Sequence, residues 1–128
     1  MNAPLLFAAI LSALACAVHV LYGGVKVHRP VLASNAPRLA QGVMSVVWHG
    51  ITALLLLNAV ALLYAAQYPG EVRPMVLLIA AQYFAAAGLS FIYGISRFGS
   101  VLVMPHWVAF LAMSLLALWG AGLIPFSA

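Results

Sequence analysis

Charge is what this chain lacks. Its 128 residues include five Lys and Arg, and Glu71 is the one acid. With 67% of residues hydrophobic, there are too few polar side chains to cover the surface of a soluble domain. The basic residues are also too few to serve as a nucleic-acid surface. Because Glu71 stands outside every apolar run, no carboxylate is placed to carry protons across a membrane, which disfavours charge-coupled transport. Cys16 is the sole cysteine, so an intramolecular disulfide and any paired-thiol chemistry with a quinone are excluded. Segments alternating polar and apolar residues are absent too, which removes a β-barrel.

Apolar runs are what the chain has in abundance. Residues 3–25, 43–66, 75–96 and 101–123 each exceed the ~20 residues needed to cross a hydrocarbon core about 30 Å thick. Backbone groups in lipid must be satisfied within the segment, so each run is expected to be a helix. The expectation is an all-α polytopic membrane protein: one domain over residues 1–128, four transmembrane helices, an up-down antiparallel bundle. Ala13-Leu14-Ala15-Cys16 faintly resembles a lipoprotein cleavage site, but no Lys or Arg precedes the apolar run, so a first transmembrane helix is expected there.

Lys26, Arg29 and Arg38 sit between the first two runs and Arg97 between the last two, against Arg73 alone on the opposite side. The positive-inside rule then places those two connections in the cytoplasm and both termini outside it. Turn signals agree. Tyr68-Pro69-Gly70 and Arg73-Pro74 separate runs two and three, and Arg97-Phe98-Gly99-Ser100 separates three and four. In the first connection Pro30 is expected to stop a helix, Ser34-Asn35-Ala36-Pro37 to cap and restart one near Pro37. Small residues every fourth position, Ala8-Ser12-Cys16 and Ala86-Ser90-Gly94, are the expected close helix crossings.

The histidines share a depth. At ~1.5 Å per residue, His19 lies about 6 Å above Gly23, and His49 roughly 10 Å beyond Gly42 from the same side. His106 stands in the first turns of the fourth run, and His28 belongs to the cytoplasmic connection. Ser12, Cys16, His19 and Gly23 follow one face of an α-helix, with Tyr22 and Lys26 alongside. Ser45, His49 and Thr52 do the same on the second, and Gln82, Ala86, Tyr93 and Arg97 on the third. Burying these stripes together would create a site in the cytoplasmic half. Its expected ligand-binding residues are His19, His49, Trp48, Tyr93, Arg97, His106, Tyr22 and Lys26.

Neutral imidazole ligates transition metals and haem, so a metal on His19 and His49, a haem or a quinone are candidate occupants. The absence of a carboxylate near the histidines weighs against a bare divalent ion and favours an organic headgroup, with Arg97 and Lys26 supplying charge. The competing reading is an aromatic belt and helix-bridging hydrogen bonds, since His, Trp and Tyr favour membrane interfaces. On that reading the chain is a structural or assembly subunit of a larger membrane complex, or a homo-oligomer. A lipid or isoprenoid enzyme with a histidine as acid/base is a third alternative, unsupported by any nucleophile or paired carboxylate.

Four features carry a resemblance: His19-Val20-Leu21-Tyr22-Gly23-Gly24, Arg29-Pro30-Val31-Leu32, Trp48-His49 and Pro105-His106-Trp107. Together the chain resembles a family of uncharacterised small four-helix bacterial inner-membrane proteins. The resemblance implies an inner (plasma) membrane location and contact with membrane lipid, and implies no activity. In that family's pattern the position of His106 is often glutamine, so His19 and His49 match it better. Small multidrug transporters are set aside because the first run holds no acid. Membrane glutathione transferases are set aside because the second run has Ser45, His49 and Asn58 where they carry an acid and an Arg/Asn motif.

Overall fold

The computed structural model describes residues 1–68 and 72–124; the expected turn at Pro69-Gly70 and the acid Glu71 lie outside them. The chain is 83% helical, with no strand among the described residues. Three helices are long and apolar enough to cross a membrane: α1 (Ala3–Leu32), α2 (Arg38–Gln67) and α3 (Arg73–Phe98), with mean hydropathies of 2.3, 2.0 and 2.0. The fourth, α4 (His106–Gly120), is shorter.

Each boundary has a local cause. Asn2 caps α1 by accepting the Leu5 N–H at 3.2 Å, with Pro4 in the first turn where no N–H is needed. From Ala3 to Val18 the helix is α, over His19–His28 it widens to the i→i+5 bonding of a π-helix, and over Arg29–Leu32 it is α again. Pro30, expected to stop the helix, lies inside it. A proline ring clashes with the carbonyl four residues earlier in an α-helix, and the wide turn just before Pro30 relieves that clash.

Ser34 closes the end of α1 by donating to the Val31 carbonyl at 2.7 Å. No side chain caps α2 at Pro37; instead the Gln41 amide reaches back to the carbonyls of Ser34 and Ala36. Gly99, at φ 66°, ends α3 in the left-handed conformation that favours glycine. Its N–H and that of Ser100 bond the carbonyls of Ile95 and Gly94 at 2.9 and 3.2 Å. The chain then folds back so closely that a Cβ on Gly94 would stand 3.2 Å from the Ser100 oxygen.

The fourth apolar run, expected as a helix over 101–123, is helical for only 15 residues. That is about 22 Å, short of a ~30 Å core. Residues 101–105 form turns instead, tied down by the Trp107 indole N–H donating to the Val101 carbonyl at 3.1 Å.

α1 packs against both α2 and α4, and α4 against α3, while α2 and α3 meet sparingly. Every buried residue of α1 and α2 belongs to one end of the bundle: Leu5, Ala8, Ala9 and Ser12, then Leu55, Asn58, Ala59, Leu62, Ala65 and Ala66. Val76, Ile79, Ala80 and Tyr83 of α3 join them with Met113 and Ala117 of α4. A polar lattice runs through this end. The Ser12 hydroxyl donates to the Leu55 carbonyl and bonds the Tyr83 hydroxyl, Asn58 donates to Gln82, and Ser114 donates to the Ala80 carbonyl. Asn2 ties three helix ends together, its backbone N–H on Ala66 and its side chain on the Gly120 carbonyl. Gly120 is required there, because a Cβ would lie 2.5 Å from the Leu5 side chain.

Candidate functional site: a histidine–tryptophan stack between two helices

α1 and α2 run antiparallel, and a ladder of side-chain donors on α1 meets backbone carbonyls of α2. Ser12 donates to Leu55, Cys16 to Thr52 at 3.7 Å, and His19 Nε2 to Trp48 at 3.2 Å. Steps of four and three residues on each helix keep one face of α1 against one face of α2. The face Ser12-Cys16-His19 therefore packs as its spacing predicts. Because a carbonyl only accepts, His19 must donate from Nε2, and in its neutral form Nδ1 carries the lone pair. The Thr52 hydroxyl donates to the same Trp48 carbonyl at 3.1 Å.

The next rung breaks the pattern. His28 Nε2 lies 3.1 Å from the Ser45 hydroxyl, so α1 advances nine residues while α2 advances three. At about 100° per residue, nine residues of α-helix would put His28 on the opposite side of α1 from His19. An i→i+5 helix takes about 4.4 residues per turn, so nine residues make two turns and return His28 to the same face. The π segment is what brings the two histidines into line.

Trp48 occupies the space between them. Its indole stacks on the His19 ring at 3.9 Å and 18°, and on the His28 ring at 5.2 Å and 9°. Nine helical residues carry the two histidine Cα atoms roughly 10–13 Å apart along α1, and rings this close and this nearly parallel to the indole flank it on either side. The tip of the indole points at Gly23, midway along the segment, where an added Cβ would stand 2.9 Å from Trp48 Cη2. His49 completes the group, its ring set edge-on to His28 at 5.5 Å and 81°.

His19 stacks on Trp48, and His28, read from sequence as a loop residue, stacks on the same indole and is the ring that meets His49. The sequence holds no signal for it, since nine residues of α-helix would set it opposite His19; the π segment decides its place. Tyr22 and Lys26 are exposed on the π segment. Tyr93 and Arg97 are exposed on α3, and His106 sets its ring edge-on to Phe110 at 5.9 Å. Among the described residues no hydrogen bond or ring contact joins Tyr93, Arg97 or His106 to the stack. The four polar stripes do not converge, because the packed end of the bundle holds α1 and α2 to α3 and α4 while the π segment packs mainly on the adjoining turns of α1 and on α2.

The described residues contain no group of three His, Cys, Asp or Glu arranged to hold a metal. The indole fills the space between the His19 and His28 rings. Two shallow apolar depressions run instead along α2, one lined by Pro37, Leu39, Ala40, Val43, Met44 and Val47, the other by Arg38, Leu39, Gly42, Val43, Val46 and Val47. Comparison with protein-family models, with curated proteins and with solved structures finds no match.

Proposed function

We propose that this is a multi-pass inner-membrane protein, crossing the bilayer four times with both termini outside the cytoplasm, that binds an organic ligand at the His19–Trp48–His28–His49 group. The observation that carries the reading is the π segment itself. A ten-residue run of i→i+5 bonding is far from the single-turn bulges usual in helices, and such departures concentrate at functional sites. Its consequence is to aim two imidazoles at one indole and to set a third, exposed imidazole against them. Polar residues within a membrane are costly and mark function. An organic headgroup with hydrogen-bonding or anionic atoms suits imidazole donors beside Lys26, whereas a divalent metal would find no carboxylate to balance its charge.

The test is to purify the protein from its native membrane in mild detergent and identify by mass spectrometry any small molecule carried along. A stoichiometric compound lost in His49→Ala and in His28→Ala is expected. A preparation with no such compound, whose variants match the parent in melting and in tryptophan fluorescence, overturns the reading.

A second reading has its own support. Nε2 of both His19 and His28 is committed within the protein, one to a carbonyl and one to Ser45, as helix-clamping groups would be. On this reading the chain is a structural or assembly subunit. Crosslinking in native membranes that captures one larger complex through α1 and α2, with no co-purified ligand, would decide for it.

A further inference from the structure

We propose that the flank of α2 over residues 38–47 holds an anionic phospholipid, its phosphate on Arg38 and one acyl chain along Gly42, Val43 and Val46. This does not rest on the histidine-site reading, since none of the residues that line it belongs to the His19–Trp48–His28–His49 group. Arg38, Gly42 and Val46 are spaced by four, as are Leu39, Val43 and Val47, so the two rows form one stripe along the helix. They line one of the depressions on α2, apolar throughout except for the arginine at its cytoplasmic end. Gly42 leaves the middle of the stripe open: a Cβ there would meet nothing within 4 Å. From Arg38 to Val47 the stripe runs about 14 Å, a length suited to an acyl chain lying along the helix.

Charge selects the headgroup. Among the described residues no ion pair engages Arg38, and the sole acid, Glu71, follows the far end of this 30-residue helix in sequence. Arg38 stands in the first turn of α2, at the end the charge asymmetry assigns to the cytoplasmic side, where it can meet a lipid phosphate. Basic sites on that side of a membrane recognise anionic headgroups, each Lys or Arg strengthening the attraction about fivefold.

The experiment titrates the purified full-length chain in detergent with phosphatidylglycerol or phosphatidylcholine of identical acyl chains, read by native mass spectrometry at about 0.15 M ionic strength. Phosphatidylglycerol should bind at least about fivefold more tightly. Arg38→Gln should abolish that preference, and Gly42→Phe should weaken both lipids by covering the middle of the stripe. Arg97→Gln, a cation on α3 away from the groove, should change neither. The preference should survive His28→Ala and His49→Ala, which separates this site from the histidine group. Equal binding of the two lipids overturns the proposal, as does an Arg97→Gln effect equal to that of Arg38→Gln, which would indicate diffuse attraction. Displacement of the lipid by inorganic phosphate alone, or a Gly42→Phe effect only on self-association, overturns it equally.

Discussion

The two ends of the bundle are built on different principles. At one end, Leu5, Ala8, Leu62, Ala65, Val76, Met113 and Ala117 interlock around hydroxyl and amide bonds that cross from helix to helix. At the other, where the histidines gather, α1 and α2 bury no residue at all beyond Ser12 and before Leu55, and they hold each other through stacked rings and two imidazole bonds. Small residues permit the first arrangement. Alanine, serine and glycine let helix backbones approach, and in lipid close packing replaces the hydrophobic drive that water would supply. The second arrangement leaves polar rings accessible. Burial of α1 and α2 is concentrated in one end, and their part-exposed rings in the other.

Substitutions can break this contrast, and the largest effect should come from the packed end. Leu62 is 0% exposed, and Leu62→Ala should cost about 2–5 kcal/mol, whereas Val46→Ala, at a residue 75% exposed, should cost almost nothing. Thermal melting of both variants in the same detergent checks the pair; equal losses would show that the two ends contribute alike. Next, Gly120→Val should wedge α4 from α1 at Leu5 and cost about 1–3 kcal/mol, read as a lowered melting temperature without loss of helical circular dichroism at low temperature.

At the histidine end, Trp48→Ala removes both ring stacks, each worth about 0.5–1.5 kcal/mol. The sharper readout is local. With nothing between them, His19 and His28 lose the reason for their common face, and hydrogen exchange over His19–His28 should quicken while that of Leu55 to Ala66 stays slow. Uniformly faster exchange would mean that the two ends unfold as one. The smallest effect belongs to the polar lattice. Ser12→Ala and Tyr83→Phe in a double-mutant cycle should show coupling of about 0.6 kcal/mol, the usual worth of a hydrogen bond between membrane helices. Coupling well above that would make the lattice, and not the apolar packing, the principal tie.

Much of the architecture was legible in the residues. Unbroken apolar runs, bounded by Pro37, Pro74 and Gly99, mark where α2 starts, α3 begins and α3 ends, because in lipid a long apolar segment has no alternative to a helix. The face Ser12-Cys16-His19 follows from α-helical spacing and pairs with α2 as expected. The run at residues 101–123 misleads, since Pro105 and the Trp107 bond to Val101 turn its first five residues out of the helix, and hydropathy does not register a turn.

What sequence by itself determined is the class of the molecule, long apolar helices with four histidines set among them; it follows from composition and order along the chain. Only the tertiary structure decided which of those histidines meet. Face assignments from sequence assume 100° per residue, and over His19–His28 the helix turns by less. That small change per residue accumulates to half a turn across nine. It carries His28 from the far side of α1 to the face of Trp48, while Tyr93, Arg97 and His106, each on a regular helix, stay with their own neighbours.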